Sequence, residues 1–361
     1  MPVLLFILNP GSTSTKIALF SDLKCLYEKT VRHSPAELAA IGSLSGQLPI
    51  RRAAIEAALG EALAENQLAA SDLTAFVGRG GLIRPGPSGT YQVNQAMLDD
   101  LHEARYGEHA SNLGAIIAAD LAERFKKEAY VTDPPTIDEM NPLSRYTGLP
   151  QIQRKSAFHA LNHKEVARMA AARLQMEPDQ CDLVIAHLGG GISVGAHQHG
   201  RVIDVNNALE EGPFSPERAG SLPTRQLVEL CFNGSLDKTE ILRLLVGQGG
   251  LVAYTGTNDC RLIEEQAADR PEFRELLAAM AYQVAKSIGA MAASLGKKPD
   301  AIALTGGLVR SSWLTGLIRD QVSFLAQVLV FPGEYELYAL ARGTVRVLNG
   351  IDACLEYSGS K

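Results

Sequence analysis

The five cysteines, Cys25, Cys181, Cys231, Cys260 and Cys354, stand far apart, odd in number and with no C-x-x-C pair. That spacing offers neither a zinc ribbon nor a disulfide framework and reads as reduced thiols. Basic residues form no block, and 34 Lys and Arg against 40 Asp and Glu leave a formal net charge of only −6. Neither a nucleic-acid surface nor a disordered acidic tail is expected from such a balance. No apolar run approaches the roughly 18 residues that suit a bilayer span, so no membrane contact is expected. The opening residues, Met-Pro-Val-Leu-Leu-Phe, carry no basic segment and no small-residue cleavage site, which points to a cytoplasmic protein without a leader.

Familiar nucleotide and metal signatures are missing too. There is no G-x-x-x-x-G-K-[ST], which excludes a P-loop, and no G-x-G-x-x-G opens a helix after the first strand. His159 and His163 are four residues apart, as on one helix face, yet neither an H-E-x-x-H nor a third ligand accompanies them.

What remains is an ordinary globular composition, 46% apolar and 20% charged over 361 residues, long enough for about two domains. Val3 to Leu8 is a strand-forming run that stops at a Gly/Ser/Thr turn, and Ile17 to Phe20 resumes it. The pattern returns at Leu183-Val-Ile-Ala-His-Leu188, Gly189-Gly190-Gly191 and Ile192 to Ala196. A third run, Ala301 to Leu304, ends in Thr305-Gly306-Gly307 and leads into a helical stretch reaching about Ser323. Helices are expected near Asn112–Phe125 and Lys164–Leu174. Phe273, Leu277, Met280, Val284, Ile288, Met291 and Leu295 make one stripe at spacings of 3 and 4 on a long amphipathic helix. The duplication suggests two related α/β domains, with a break near Tyr146–Pro150.

The turns have a chemistry. In Asn9-Pro-Gly-Ser-Thr-Ser-Thr-Lys16, Gly11 permits a tight turn, Ser12, Thr13, Ser14 and Thr15 supply hydroxyls and N–H groups, and Lys16 supplies charge. A triple glycine after His187 lets a polyphosphate approach the main chain. Gly306 and Gly307 stand where a helix would present free N–H groups. Ligand-free turns would share these compositions. Single charges in glycine- or proline-rich segments complete the set. Arg79, which its flanking glycines expose, suits a carboxylate or phosphate. Asp133 follows a strand end, Arg218 and Arg225 lie in Phe214 to Arg225, and Glu334 and Glu336 follow Val328–Phe331.

The order strand–turn–strand, twice, then strand–Gly-Gly–helix resembles the actin-like ATPase superfamily of sugar kinases, heat-shock chaperones and acetate kinases. Asn9-x-Gly-Ser-x-Ser-x-Lys16, Phe158-His159-Ala-Leu-Asn-His163 and His187-Leu-Gly are similar to signatures of the acetate/butyrate kinase family. Pro10 and Thr13 in the first turn, Gly78-Arg-Gly-Gly-Leu82, Glu108-His-Ala-Ser-Asn-Leu-Gly114, Thr132-Asp-Pro-Pro135, Pro213-Phe-Ser-Pro-Glu-Arg218 and Leu304-Thr-Gly-Gly-Leu308 resemble its butyrate-type form.

The resemblance implies an α/β fold of two related actin-like (ribonuclease H-like) domains with an interdomain nucleotide cleft. Their expected extents are 1–150, with 345–361 packing back on it, and 151–344. It implies ATP and Mg2+, a small carboxylate substrate, and a homodimer or higher homo-oligomer. By the family pattern Asn9, Ser12, Ser14 and Lys16 line the phosphate cleft. Arg79, His159, Asp133 and Arg225 are catalytic, with Arg218 a rival to Arg225. Asp133 and one of Glu334 and Glu336 serve Mg2+. His187 and Gly189, Gly190 and Gly191 meet the nucleotide phosphates, and Gly306 and Gly307 the adenosine. The reaction implied is transfer of the γ-phosphoryl of ATP to butanoate. Acetate, propionate and branched acids are alternatives, and so is a non-catalytic nucleotide sensor of the same fold. A carboxylate with a pKa near 4–5 is already a nucleophile at neutral pH, so no base is expected.

Overall fold

Residues 2–359 are described by a computed structural model. Leu4–Pro10 (β1) and Ser14–Ser21 (β2) form an antiparallel hairpin with Asn9 opposite Lys16. Lys24–Arg32 (β3), Ala75–Arg79 (β4), Thr90–Gln92 (β5) and Glu128–Thr132 (β6) complete a six-stranded sheet of order β3-β2-β1-β4-β6-β5. Strands β1, β4 and β6 are parallel, with Leu8 beside Gly78 and Arg79 beside Thr132. Their carboxyl ends therefore lie side by side, where ligands bind in open α/β sheets.

Leu5 to Leu8 are all fully buried, because both faces of this sheet are covered. Phe6, Leu8, Ile17 and Leu19 share a core with the helices Leu48–Glu65 and Asn112–Phe125. Phe20 alternates to the other face and meets Tyr338, edge to face, on the helix Glu336–Leu348.

A second sheet repeats the plan. It holds Leu183–Leu188 (β7), Ile192–Gln198 (β8), Arg201–Val205 (β9), Ala301–Gly306 (β10) and Val328–Pro332 (β11), in the order β11-β10-β7-β8-β9. Each sheet thus joins an antiparallel three-strand meander, β1-β2-β3 or β7-β8-β9, to two further parallel strands beside its first member.

The helix Pro271–Ser294 presents its stripe, Phe273 to Met291, to the β7–β8 core. By length and composition this helix is apolar enough to cross a membrane, although the sequence reading found no such run. Arg274, Glu275 and Lys286 interrupt the run without removing the apolar face, and that face is buried on the sheet.

The chain divides into two units, 1–137 with 335–361, and 138–334. These boundaries differ from those expected at 150 and 344. Residues after Ile137 are tied to β9: Asn141 N donates to the Ile203 carbonyl at 2.8 Å, and Arg154 pairs with Asp204 and Glu211. The helix Glu336–Leu348 packs on β1, β4 and β6, so the return to the first unit begins earlier than the resemblance implied.

Candidate active site

The turn after β1 is closed by Gly11 N donating to the Ser14 carbonyl at 2.7 Å. It is gripped from behind by Arg51, a fully buried residue of the helix Leu48–Glu65. Arg51 donates to the Ser12 carbonyl at 3.0 Å, the Ser14 carbonyl at 3.4 Å and Thr15 Oγ1 at 3.2 Å, and Gln47 Oε1 holds its other edge. His33 Nε2 lies 2.9 Å from Thr15 Oγ1, and His33 N donates to the Thr13 carbonyl. Burial lowers the pKa of both the Arg51 guanidinium and the His33 ring, and for His33 the nearby Arg51 charge adds to it. The backbone of the turn is thereby fixed, which preorganises its N–H groups for an anion. Sequence reasoning missed Arg51. Its signal was present: Arg51 falls in phase with Ile55, Ala58, Leu59 and Ala62, the buried stripe of its helix.

At the carboxyl ends of β1 and β4, three of the expected residues meet. Asn9 Nδ2 donates to Glu336 Oε2 at 2.6 Å. Arg79 Nη1 donates to Asn9 Oδ1 at 3.2 Å and to Glu336 Oε2 at 3.3 Å, and its Nη2 lies 3.3 Å from Glu336 Oε1. Glu336 opens the helix Glu336–Leu348, at the positive end of the helix dipole. Glu334 is exposed and belongs to the other unit.

The expectation that glycines expose Arg79 is corrected here. Its side chain is only 18% exposed, and the glycines serve packing. A Cβ on Gly78 would fall 2.3 Å from the Gly114 carbonyl oxygen, so glycine lets the helix Asn112–Phe125 lie directly on β4.

Asp133 follows Thr132, the strand neighbour of Arg79, in a left-handed conformation at φ 42°. Ser88 Oγ and Gly89 N donate to its Oδ1 at 2.6 and 2.9 Å. Its Oδ2 is buried with no hydrogen-bond partner. A buried anionic oxygen left in that state calls for a cation. Among the described residues no group of three or more His, Cys, Asp or Glu is assembled for a metal. The single buried carboxylate oxygen of Asp133 fits Mg2+, which is bound by one or two carboxylates with water and substrate phosphates.

In the second unit the glycine turn is held by Ser215 Oγ donating to the Gly190 carbonyl at 2.6 Å, and by Gly189 N donating to the Gly191 carbonyl. Arg218 lies directly on it: a Cβ on Gly191 would be 2.2 Å from Arg218 Nη1, which donates to the Ala208 carbonyl. Burial lowers the Arg218 pKa, opposed by Glu217. Arg225 is placed elsewhere. It is 91% exposed on the helix Thr224–Phe232 and pairs with Glu229 one turn on. The structure therefore brings Arg218, not Arg225, to the turn.

Gly306 ends β10 at φ 96°, where a Cβ would clash with the Leu188 carbonyl at 2.3 Å. Glycine there lets β10 and the His187 turn touch. Beyond it Gly307, Leu308, Ser311 and Ser312 line a cavity of about 510 Å³ together with Cys260, Arg261, Glu264 and Glu265. That is within the range of small-molecule sites.

Between β7, β8 and the helix Ala160–Leu174 sits a histidine cluster. The His159 and His187 rings stack at 3.9 Å. Asn162 Nδ2 lies 2.6 Å from His187 Nδ1 and donates to Thr305 Oγ1 at 3.1 Å. His159 Nδ1 and His163 Nε2 each lie 2.9 Å from Ser193 Oγ. Asn162 and Thr305 stand inside motifs of the sequence without a role assigned to them there, and Ser193 carried no signal of its own; pairing of β7 with β8 and β10 places Ser193 and Thr305 beside the rings.

Comparison with known proteins agrees with this architecture. A family model described as the acetokinase family matches residues 144–327. The chain is 46% identical to Butyrate kinase 2 of Clostridium acetobutylicum over 98% of its own length and 99% of that protein's. The acetate kinase of Porphyromonas gingivalis superposes with a TM-score of 0.78 at 18% identity, covering 96% of this chain and 100% of that one. A propionate kinase of Francisella tularensis does so at 0.73 and 19%, covering 94% and 98%. These two likenesses show the actin-like fold of the acetate and propionate kinases. With nearly half of its residues shared along almost the full length of a curated relative, this chain belongs to the acetokinase family.

Proposed function

We propose that this protein transfers the γ-phosphoryl group of ATP to a short-chain fatty-acid carboxylate, with butanoate as the acid. The observation that carries the reading is the Asn9–Arg79–Glu336 set on the β1 and β4 ends, beside the half-satisfied carboxylate of Asp133. The identity to a butyrate kinase supports the choice of acid.

In the reaction a carboxylate oxygen attacks the γ-phosphorus, the bond from that phosphorus to the β,γ-bridging oxygen breaks, and ADP leaves with the electron pair. No proton moves, because the acid is already ionised. The protein's task is to align the groups and neutralise charge. Arg79 does so for the carboxylate and the transferring group, and Lys16, opposite Asn9 in the hairpin, adds positive charge at the first turn. Asn9, Ser12 and Ser14 supply hydrogen bonds there. In the second unit His159 and His187 contribute ring N–H groups, and Gly189 to Gly191 with Arg218 accept the nucleotide phosphates. The cavity beyond Gly306 and Gly307 takes the adenosine. Asp133, with Glu336 as its partner carboxylate, would hold Mg2+, and that ion supplies neutralisation of phosphate oxygens.

A hydroxamate assay with ATP and Mg2+ over acetate, propionate, butanoate, isobutanoate and valerate tests the reading. Turnover is expected to peak at butanoate. A peak at another acid would transfer the specificity, and no acyl hydroxamate from any acid would end the kinase reading.

We also place the protein in the cytoplasm, a reading supported by its five unpaired cysteines, and propose that it self-associates. Val228 and Phe232 stand exposed, at 54% and 85%, on one helix and support association. Light scattering that returns a monomer of 38.7 kDa would overturn it.

A further inference from the structure

Four side chains of the second unit form one line of hydrogen bonds. His197 Nε2 lies 3.2 Å from His163 Nδ1, His163 Nε2 lies 2.9 Å from Ser193 Oγ, and Ser193 Oγ lies 2.9 Å from His159 Nδ1. A neutral imidazole has one N–H and one lone pair, so each ring link can run either way.

The far end of the line removes the ambiguity. His197 Nδ1 is buried with no hydrogen-bond partner. If His163 donated to His197, the His197 proton would sit on that nitrogen as an orphaned buried N–H. If His197 donates from Nε2, the orphan is only a lone pair. Orphaned buried donors are the rarer defect in folded proteins. Both rings stay neutral: burial, the His187 ring and Lys164 push the His163 pKa down to about 3, and burial first of all pushes His197 well below its ordinary value. His197 Nε2–H therefore donates to His163 Nδ1, and His163 Nε2–H donates to Ser193.

Ser193 is fully buried, and its hydroxyl has these two rings as its side-chain partners among the described residues. Its own proton cannot go to His163, which is donating to it, so it goes to His159 Nδ1. The proton of a neutral His159 is thereby driven to Nε2.

We propose that His197, His163 and Ser193 are positioning residues that lock His159 in its Nε2–H tautomer, so that the second ring nitrogen can only donate a hydrogen bond to an anionic oxygen. His187 is arranged alike. Its Nδ1 accepts from the Asn162 amide, which leaves Nε2 to carry the proton, and a Cβ on Gly189 would stand 2.9 Å from that Nε2. Two stacked rings thus each present an Nε2–H donor. The role of His159 in turnover rests on the proposed kinase function; its tautomer does not.

The test is ring-nitrogen NMR of the full-length protein labelled with 15N-histidine, with resonances assigned by single histidine substitutions, at neutral pH. His159, His163 and His197 are each expected to carry the proton on Nε2. Ser193→Ala is expected to give His159 mixed tautomers and to lower kcat about tenfold or more, with KM for ATP held within about threefold. Ser193→Thr keeps the hydroxyl and should restore both. His197→Phe keeps ring volume while removing the group that sets the direction, so His159 should again show mixed tautomers. A wild-type His159 protonated on Nδ1 would overturn the proposal by itself, whether or not any variant folds. So would a Ser193→Ala protein with an unchanged tautomer and full kcat. If the wild-type enzyme makes no acyl phosphate but shows the expected tautomers, the kinase reading fails and the relay stands.

Discussion

Lowering the pH from 7 to 5 should destabilise the second unit by about 2 kcal/mol through His163 alone. An unfolded histidine has a pKa near 6.5, while in the fold His163 is pushed down to about 3, chiefly by burial. Between those values the unfolded chain binds a proton that the folded chain refuses. Unfolding then gains about 1.4 kcal/mol per pH unit, and about 1.5 units separate 6.5 from 5. The contribution is complete above pH 6.5 and is lost progressively as pH falls toward 3. His197 is shifted the same way, so it steepens the slope further. The chain's single tryptophan, Trp313, lies on the helix Ser312–Val322 of the same unit, so its fluorescence during urea unfolding reports that unit. Replacing both histidines, as His163→Gln with His197→Gln, should flatten stability against pH between 5 and 6.5 whatever it does to stability at pH 7. A double variant with the wild-type slope would refute the idea that these rings are buried uncharged.

Arg51→Met should lower the stability of the first unit by about 2–4 kcal/mol, because the Ser12 carbonyl and Thr15 Oγ1 lose a charged donor; an unchanged melting temperature and an unchanged KM for ATP would count against the brace. Asp133→Asn should raise or preserve stability in metal-free buffer, since it removes an unpaired buried charge, yet lower kcat about 100-fold or more; a large loss of metal-free stability would show that Asp133 is structural. Arg218→Ala should cost at least about tenfold in kcat/KM while Arg225→Ala stays within about twofold, and steady-state kinetics with the order reversed would return the role to Arg225. Gly306→Ala should destabilise by more than about 2 kcal/mol, from positive φ and a clash with the Leu188 carbonyl; urea titration checks it.

The two hairpins and the stripe from Phe273 to Met291 were legible because each is a local pattern: a run, a turn, or a period of 3 and 4. The Asn9 motif was legible for the same reason, being eight consecutive residues. Partners far apart in sequence were not. Glu336 differs from Glu334 only in which side of a helix start it occupies, and that is decided by how the helix docks on β1 and β4. Arg225, expected from the family pattern, lies on an exposed helix, while Arg218, seven residues earlier, packs on Gly191. Counting residues measures chain length, and a loop between two packed elements does not convert length into position. The boundary at 137 was hidden similarly, since backbone and side-chain bonds from Asn141 and Ser144 to Ile203 leave no compositional mark.

The bond from Asn9 to Glu336 spans 327 positions. During synthesis the polar edge of the first unit cannot be completed until the helix Glu336–Leu348 has been made, after the whole of the second unit. A chain interrupted anywhere in residues 138–334 has the phosphate-type turn and Arg79 but lacks the carboxylate that holds that arginine. Assembly of this edge thus acts as a completeness check. An unfinished chain leaves Arg79 with its bond to Asn9 Oδ1 alone, and only a chain translated through Glu336 adds the ion pair.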